Sequence, residues 1–349
     1  MASSFSQSFY VLALFIILVS WSSRVTTSRK LVELEACSRE RHEQWMMEHG
    51  KDYMDDAEKE KRYQIYRENV EFIESFNANN NETFKLGVNQ FADKTFEEFK
   101  SSALNGNKKG SLDLLGTEIE KPFKYENVTE IPETMDWRQR GAVTPIKDQN
   151  VCGSCWAFAT VAITESIHQI TTGKLESLSE QELIDCVRGE KTSGCDGGYM
   201  EDAFKFILRK KGIASEAKYP YKGVDRTCNS TIEANTTASI KGYQMVPRNN
   251  ETALLQAVAN QPVGVYVEAG HRAFQFYSGG VFTGKCRTKT DHVVAIVGYG
   301  STKEGIKYWI VKNSWGTNWG EKGYMRMKRD IISKKGLCGL AKKPLYPIA

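Results

Sequence analysis

Hydrophobic and polar positions follow four different patterns along this chain. The first is an uninterrupted apolar run of eleven residues, Phe9 to Val19 (FYVLALFIILV), followed by Ser20, Ser22 and Ser23. It is too short for the roughly 20 apolar residues that span a bilayer. Although no Lys or Arg precedes it, it reads as the core of a signal peptide over residues 1–24. The second pattern, from about Leu31 to Asn80, is charged with scattered aromatics. Glu58, Arg62, Tyr66, Asn69, Ile73 and Asn77 are spaced 4, 4, 3, 4 and 4, which places them within an arc of about 100° on one helical face. Taken alone, that spacing describes a charged amphipathic helix with Glu and Arg paired at i, i+4. Residues Gly106 to Gly116 (GNKKGSLDLLG) have no period and predict a flexible or cleavable connection.

The third pattern is helical and the fourth extended. In Cys155 to Gly173, Phe158, Ala162, Ile163, Ile167 and Ile170 recur at helical intervals and the segment ends at a glycine. Ser179 with Glu182 has capping-box spacing for a short helix through Cys186. Ala203, Phe204, Ile207 and Leu208 predict a further helix stopped at Gly212. Beyond residue 240 only Glu251 to Asn260 reads helical, and the rest is short extended runs: PVGVYVEA, DHVVAIVGYG, KYWIVKNSW and GYMRMKR. The fold class expected is α+β, with a helical lobe over about 131–240, a β-rich lobe over about 241–349, and a cleft between them.

Composition narrows this picture. With 40% hydrophobic and 26% charged residues the chain is a folded protein and not a low-complexity one. The net charge of +4 conceals a division. Before residue 131 there are 22 acidic and 17 basic residues, and from there on 21 and 30. An acidic segment joined to a basic one suggests docking within the chain. No zinc-finger, RNA-recognition or clustered Lys/Arg motif supports the competing idea of nucleic-acid binding. Five Asn-x-Ser/Thr sites, at Asn81, Asn127, Asn229, Asn235 and Asn250, permit N-glycosylation. With no KDEL-type ending, the expected destination is the secretory pathway, ending in a vacuole or lysosome or outside the cell.

The densest chemistry lies in QNVCGSCWAF, Gln149 to Phe158. Three readings compete for Cys152 and Cys155. A zinc site needs a second close pair, and Cys186 and Cys195 are poorly spaced for one. A thioredoxin-like pair needs a βαβ setting that is not seen. In the third reading Cys152 is structural and Cys155 is a nucleophile at a helix start, where the helix N-terminus stabilises a thiolate. Its proton partner must be one of five histidines: His42, His49, His168, His271 or His292. His42 and His49 lie in the acidic first part, His168 is over three turns along the same helix, and His271 lies in a Gly-rich connection. His292 opens an apolar run that should be a buried strand, a rigid mount for a catalytic ring. A histidine so placed is, taken alone, more often structural.

At this point the residues match a family. CGSCWAF resembles the nucleophile motif of papain and the cathepsin-like cysteine proteases. His292 follows Cys155 by 137 residues and Asn313, in KNSWGTNWG, by 158. IPETMDWRQRGAVTPIKDQ, LSEQELIDC, GCDGGYM and DHVVAIVGYG resemble family segments in family order, from Ile131 to the end. The six-residue helical pattern resembles the propeptide helix of cathepsin-L-like, plant-type proteases, with Tyr66 where Phe is usual. Gly87, Asn89, Phe91 and Asp93 (GVNQFAD) resemble its second motif.

The resemblance implies a two-lobed papain-like fold, a helical lobe plus a β-barrel-like lobe, over 126–349, preceded by a helical inhibitory proregion over 25–125. It implies a cysteine endopeptidase made as a zymogen and working through a thioester, with a non-catalytic binding or storage protein on the same fold as the alternative. Cys155 would be the nucleophile, His292 its partner, Asn313 the residue orienting the ring, and Gln149 an oxyanion donor. Trp315 would shield the His292–Asn313 bond. Gly197, Gly198, Tyr199, Met200, Tyr266, Val293 and Lys343 would meet substrate, the last five around the pocket for the second residue before the scissile bond. With Tyr266 and Lys343 there, the pocket is expected to be narrower, less tolerant of basic side chains and open to acidic ones, the alternative being that Lys343 reaches out to solvent and an aliphatic preference persists. The implied disulfides are Cys152–Cys195, Cys186–Cys228 and Cys286–Cys338, leaving Cys37 without a partner. No metal or organic cofactor is called for. The implied partners are protein and peptide substrates, the chain's own propeptide and cystatin-like inhibitors. Neither nucleic acid nor, once the signal is removed, a membrane is among them, and the enzyme should be a monomer.

Overall fold

In a computed structural model, the structure describes residues 33–79, 82–104, 122–189, 192–229 and 236–349. The signal segment, the Gly106–Gly116 connection, Asn81 and Asn235 lie outside the described residues. The chain divides into two compact units, Met1–Asn69 and Val70–Ala349. Within the first unit, residues 33–48 form helix α1. His42 is buried among Trp45, Tyr63 and Tyr66, with ring centroids 5.0–5.8 Å away, and Arg39 pairs with Glu60 at 2.7 Å.

The expected proregion helix is α2, Asp56–Ala78. Its marked face is inward, with Tyr66, Asn69 and Ile73 buried. The i, i+4 pair exists as well, with Arg62 Nε donating to Glu58 Oε1 at 2.6 Å. Asn77 belongs to the second unit. Its side chain donates to the Leu86 carbonyl at 2.7 Å and accepts from the Leu86 amide at 3.0 Å. That double bond ties the helix end to strand β1, Phe84–Leu86.

The second unit carries a sheet in the order β1-β5-β8-β7-β6-β4-β9-β3, with β2 also on β6. Its strands are β2 (Met135–Asp136), β3 (Gly242–Met245), β4 (Val263–Val267), β5 (Tyr277–Phe282), β6 (His292–Ser301), β7 (Lys307–Lys312), β8 (Tyr324–Lys328) and β9 (Leu345–Ile348). Every pairing is antiparallel except β5 with β8. Nine of the ten residues of β6 are buried, the near-continuous apolar run of a strand covered on both faces. The sequence pattern missed β1, β2, β3, β5 and β9, which are short or carry Gly and Pro. Gly280 shows why β5 hides: at φ +89° with Thr83 O 2.4 Å from where a Cβ would sit, only glycine fits beneath β1.

The helices are α3 (Phe96–Ala103), α4 (Cys155–Thr172), α5 (Glu180–Cys186), α6 (Met200–Lys210), α7 (Glu251–Asn260) and α8 (Arg272–Gln275). The one-turn α8 was not foreseen. Helix α4 is buried around nearly its whole circumference in its first three turns, packed on α5, α6 and β6. Its Thr160, Thr164 and Ser166 hydroxyls donate to carbonyls four residues back at 2.7–2.9 Å, so no polar group is stranded. Gly173 in the left-handed conformation ends it. Only half the expected capping box forms at α5. Ser179 accepts from the Glu182 amide, but Glu182 turns to Lys210 and the Ala214 amide. Helix α6 ends one residue earlier than expected, on Lys211 at φ 62°.

Candidate active site

Cys155 is the first residue of α4, where Ser154 makes no side-chain cap. The Ser154 hydroxyl lies 3.2 Å from Tyr221 Oη instead, so the first-turn amides are left for the sulfur. The backbone N–H groups of Trp156 and Val293 face the thiol. Val293 follows His292 at the start of β6, which brings the histidine strand to the head of the cysteine helix. Of the five histidines, only His292 is placed in this way. His168 is on the far part of α4, and His271 lies 3.4 Å from Glu268.

The ring of His292 is fully buried. Its Nε2 is 2.8 Å from Asn313 Oδ1, which also accepts from the Ser314 amide at 2.8 Å. An oxygen holding one amide proton faces Nε2, so Nε2 carries the ring proton and Nδ1, which has no partner, is a free base. Trp315 stacks on the ring at 4.6 Å and 27°. Burial pushes the Cys155 thiol up to about 12. It pulls His292 down to about 4, against the opposing bond to Asn313. In this covered form both groups are neutral at ordinary pH.

Gln149 is held from three sides. Its amide donates to the Ser314 carbonyl at 2.8 Å, its carbonyl accepts from Tyr221 Oη at 2.7 Å, and its Oε1 accepts from the Ser314 hydroxyl at 2.6 Å. That last bond leaves Nε2 as the donor end, with one proton given to the Cys152 carbonyl at 2.9 Å and the other directed outward. Ser314 was not singled out in the sequence. Its signal was adjacency to Asn313 alone.

The cover is residues 82–104. The Ala103 carbonyl accepts from Gln149 Nε2 and from Trp315 Nε1, each at 3.2 Å. Phe91 and Phe99 meet Trp315 edge-on at 5.6 and 5.4 Å. Asn89 donates to the Gln275 carbonyl at 2.8 Å and Gln90 to the Trp315 carbonyl at 2.6 Å. A peptide carbonyl of the chain's own N-terminal part therefore lies on Gln149 Nε2.

The remaining expected residues are also placed. Gly197 has φ 114°, and a side chain on Gly198 would strike the Trp156 ring at 2.7 Å, so Gly198 is required by packing as well as by any substrate. Tyr266 and Val293 are cross-strand partners, and the Met200 amide donates to Tyr266 Oη at 3.1 Å. Lys343 is not the free cation expected. It forms an ion pair with Glu201, which removes the argument for an acidic preference. The three disulfides are Cys152–Cys195, Cys186–Cys228 and Cys286–Cys338, and Cys37 is exposed and unbonded. Asn127, Asn229 and Asn250 are exposed, and Asn250 also caps α7 through its side-chain oxygen.

Comparison with known proteins bears on this geometry. Residues 131–348 match the papain family of cysteine proteases, and residues 42–99 match the cathepsin propeptide inhibitor domain. A senescence-specific cysteine protease SAG39 of Oryza sativa subsp. indica is 53% identical over 330 residues, 94% of this chain and 95% of that protein. The senescence-specific cysteine protease SAG12 of Arabidopsis thaliana is 48% identical over 350 residues, 99% of each. The solved structure of a recombinant stem bromelain precursor superposes with a TM-score of 0.81 at 45% identity, covering 89% of this chain and 98% of that one. A cysteine at the head of a helix beside the start of a histidine-bearing strand, under a segment that matches an inhibitor domain, is thus explained by descent: the chain belongs to the papain family of cysteine proteases and carries that family's propeptide.

Proposed function

We propose that Cys155 and His292 form the catalytic pair of this cysteine endopeptidase, with Asn313 and Gln149 in support and residues 82–104 as the built-in inhibitor. His292 Nδ1 takes the thiol proton and the sulfur attacks the scissile carbonyl carbon. The oxyanion is held by Gln149 Nε2 and the Cys155 N–H. The imidazolium, steadied by Asn313, passes its proton to the leaving amine as the C–N bond breaks, leaving a thioester. Water then gives a proton to His292 and its oxygen to the acyl carbon, and the thiol departs with that proton. The observation that carries the assignment is the His292 ring. Its Nε2 is fixed by Asn313 and its Nδ1 is unpartnered.

The cover explains latency. It occupies the oxyanion donor with a carbonyl and removes water from both groups, which favours the uncharged pair over the reactive thiolate–imidazolium pair. Substrates are proteins and peptides in extended form, cleaved after the chain has been cut within residues 115–130 and the cover has left. Entry to the secretory route is supported by the Phe9–Val19 run, the three disulfides and the exposed Asn127, Asn229 and Asn250. A purely binding role leaves the filled set of Cys155, His292, Asn313 and Gln149 without a purpose.

The test is hydrolysis of a fluorogenic dipeptide amide after acid conversion, with Cys155→Ala converted by added wild-type enzyme that is then removed. The expected loss is at least about 1,000-fold in kcat. Equal rates would reject the assignment.

A further inference from the structure

Glu201 was not among the residues expected to meet substrate, yet it sits at the centre of the cluster that is. Its Oε2 accepts from Tyr266 Oη at 2.7 Å, and its Oε1 holds Lys343. The side chains of Glu201 and Lys343 are each only 13% exposed. Tyr266 is buried, and the Lys343 ammonium stands 5.7 Å from its ring centroid and 5.8 Å from that of Tyr199. The cluster connects to the reacting sulfur in two steps: Tyr266 pairs with Val293 across the strands, and the Val293 amide faces the Cys155 thiol. Charge on this cluster is therefore close enough to be read by a substrate side chain.

We propose that Glu201 is a specificity-determining residue. By clamping Lys343 and Tyr266 it closes the inner end of the pocket for the second residue before the scissile bond as a charge-neutral wall. This rests on the reading of Tyr199, Met200, Tyr266, Val293 and Lys343 as that pocket. The consequence is symmetrical. An arginine entering the pocket meets an ammonium, a glutamate meets a carboxylate already shared between two donors, and neither can displace the existing pair without leaving a desolvated charge behind. An uncharged aliphatic side chain pays no such penalty, and the phenol ring limits its length. Each partner also masks an opposite preference: without Glu201 the wall is cationic, and without Lys343 it is anionic.

The experiment compares matured wild-type enzyme with Glu201→Gln and Lys343→Met, all produced as the full chain. The substrates are three fluorogenic peptides differing only in Leu, Glu or Arg at the second residue before the cut. Glu201→Gln keeps an oxygen for Tyr266 and frees the ammonium. It should raise the kcat/KM ratio of the Glu to the Leu peptide at least tenfold. Lys343→Met should raise the Arg-to-Leu ratio by a similar factor, and the wild type should favour Leu over both. Because the ratios move in opposite directions, either variant alone tests the idea if the other fails to fold, and alkylation of Cys155 by iodoacetamide counts competent sites. Ratios within twofold of wild type, or a wild type that prefers Glu or Arg, would overturn the proposal. Cleavage of the Leu peptide by wild type but not by Cys155→Ala would leave the catalytic assignment standing in that event.

Discussion

Ser314, together with the Cys152 carbonyl that accepts from Gln149 Nε2 at 2.9 Å, decides which end of the Gln149 amide looks into the cleft. Its hydroxyl donates to Oε1 at 2.6 Å, so the donor end of the amide is turned outward by a hydrogen bond made behind it. Ser314→Ala removes one of the two bonds that set this preference, and the amide can more readily turn its oxygen toward the developing oxyanion. The expected result is a roughly 10-fold fall in kcat with KM little changed, smaller than the 100-fold or greater loss on deleting an oxyanion donor outright. Steady-state kinetics on a single dipeptide amide checks it, and an unaltered kcat would show that the Cys152 carbonyl and the backbone bonds hold Gln149 without Ser314. Cys155, His292, Asn313 and Gln149 were legible in the sequence because they sit in dense motifs. Ser314 and Glu201 were not. Their importance lies in partners brought close by folding, Gln149 for one and Lys343 with Tyr266 for the other, and no local spacing records such a meeting.

Among the elements, α3 has the local signature of a helix made to stand on its own. Thr95 and Glu98 form a reciprocal capping box, with the Glu98 amide donating to Thr95 Oγ1 at 3.2 Å and the Thr95 amide to Glu98 Oε2 at 2.9 Å. Its function as a cover depends on Phe99, fully buried against Phe91 and Trp315. Phe99→Ala removes a buried ring, a change that costs about 3–5 kcal/mol in a packed core. Most of that loss falls on the closed zymogen, since Trp315 meets solvent once the cover leaves. Conversion to the mature form, followed by gel at fixed pH, should run at least 10-fold faster, and an unchanged rate would remove Phe99 from the latch. The long elements α4, α7 and β6 were readable from their apolar positions, and α2 from the helical spacing of its largely polar ones. Strands β1, β2, β3, β5 and β9 span two to six residues each, and their edges are set by partners far along the chain rather than by their own period.

For the molecule as a whole, proton binding links the cover to the enzyme beneath it. His292 is pulled down to about 4 by burial, from an ordinary value of 6.5. A depressed histidine favours the closed form above pH 6.5. As pH falls from there toward 4, the open form takes up a proton that the closed form refuses, and closure loses up to about 3 kcal/mol. Asp291, raised to about 6 mainly by burial, acts in the opposite sense wherever the same cover buries it, holding tightest in acid and loosening as pH rises through 6. In isotopically labelled Cys155→Ala zymogen, the His292 ring should titrate near 4 by NMR and move upward once the cover is removed. A zymogen ring titrating near 6.5 would mean that the cover does not desolvate it. A second buried ionic group joins the lobes. Lys147 Nζ bridges Glu165 at 2.9 Å and Glu180 at 2.7 Å, while Lys312 donates to Thr144 and is pulled down to about 8 by burial. The division into acidic and basic halves was visible in the sequence, whereas this seam of buried charge was not, since its members are scattered from Thr144 to Lys312.

None of the three disulfides involves a residue before Cys152. One backbone cut after the cover therefore turns an attached inhibitor into a free peptide, with no reducing step. While attached, such a segment faces the cleft at an effective concentration on the order of millimolar. Once severed, its hold depends on how much of it is in solution, so activation becomes a matter of dilution: the same clipped molecule is restrained in a crowded compartment and released where its contents are poured out.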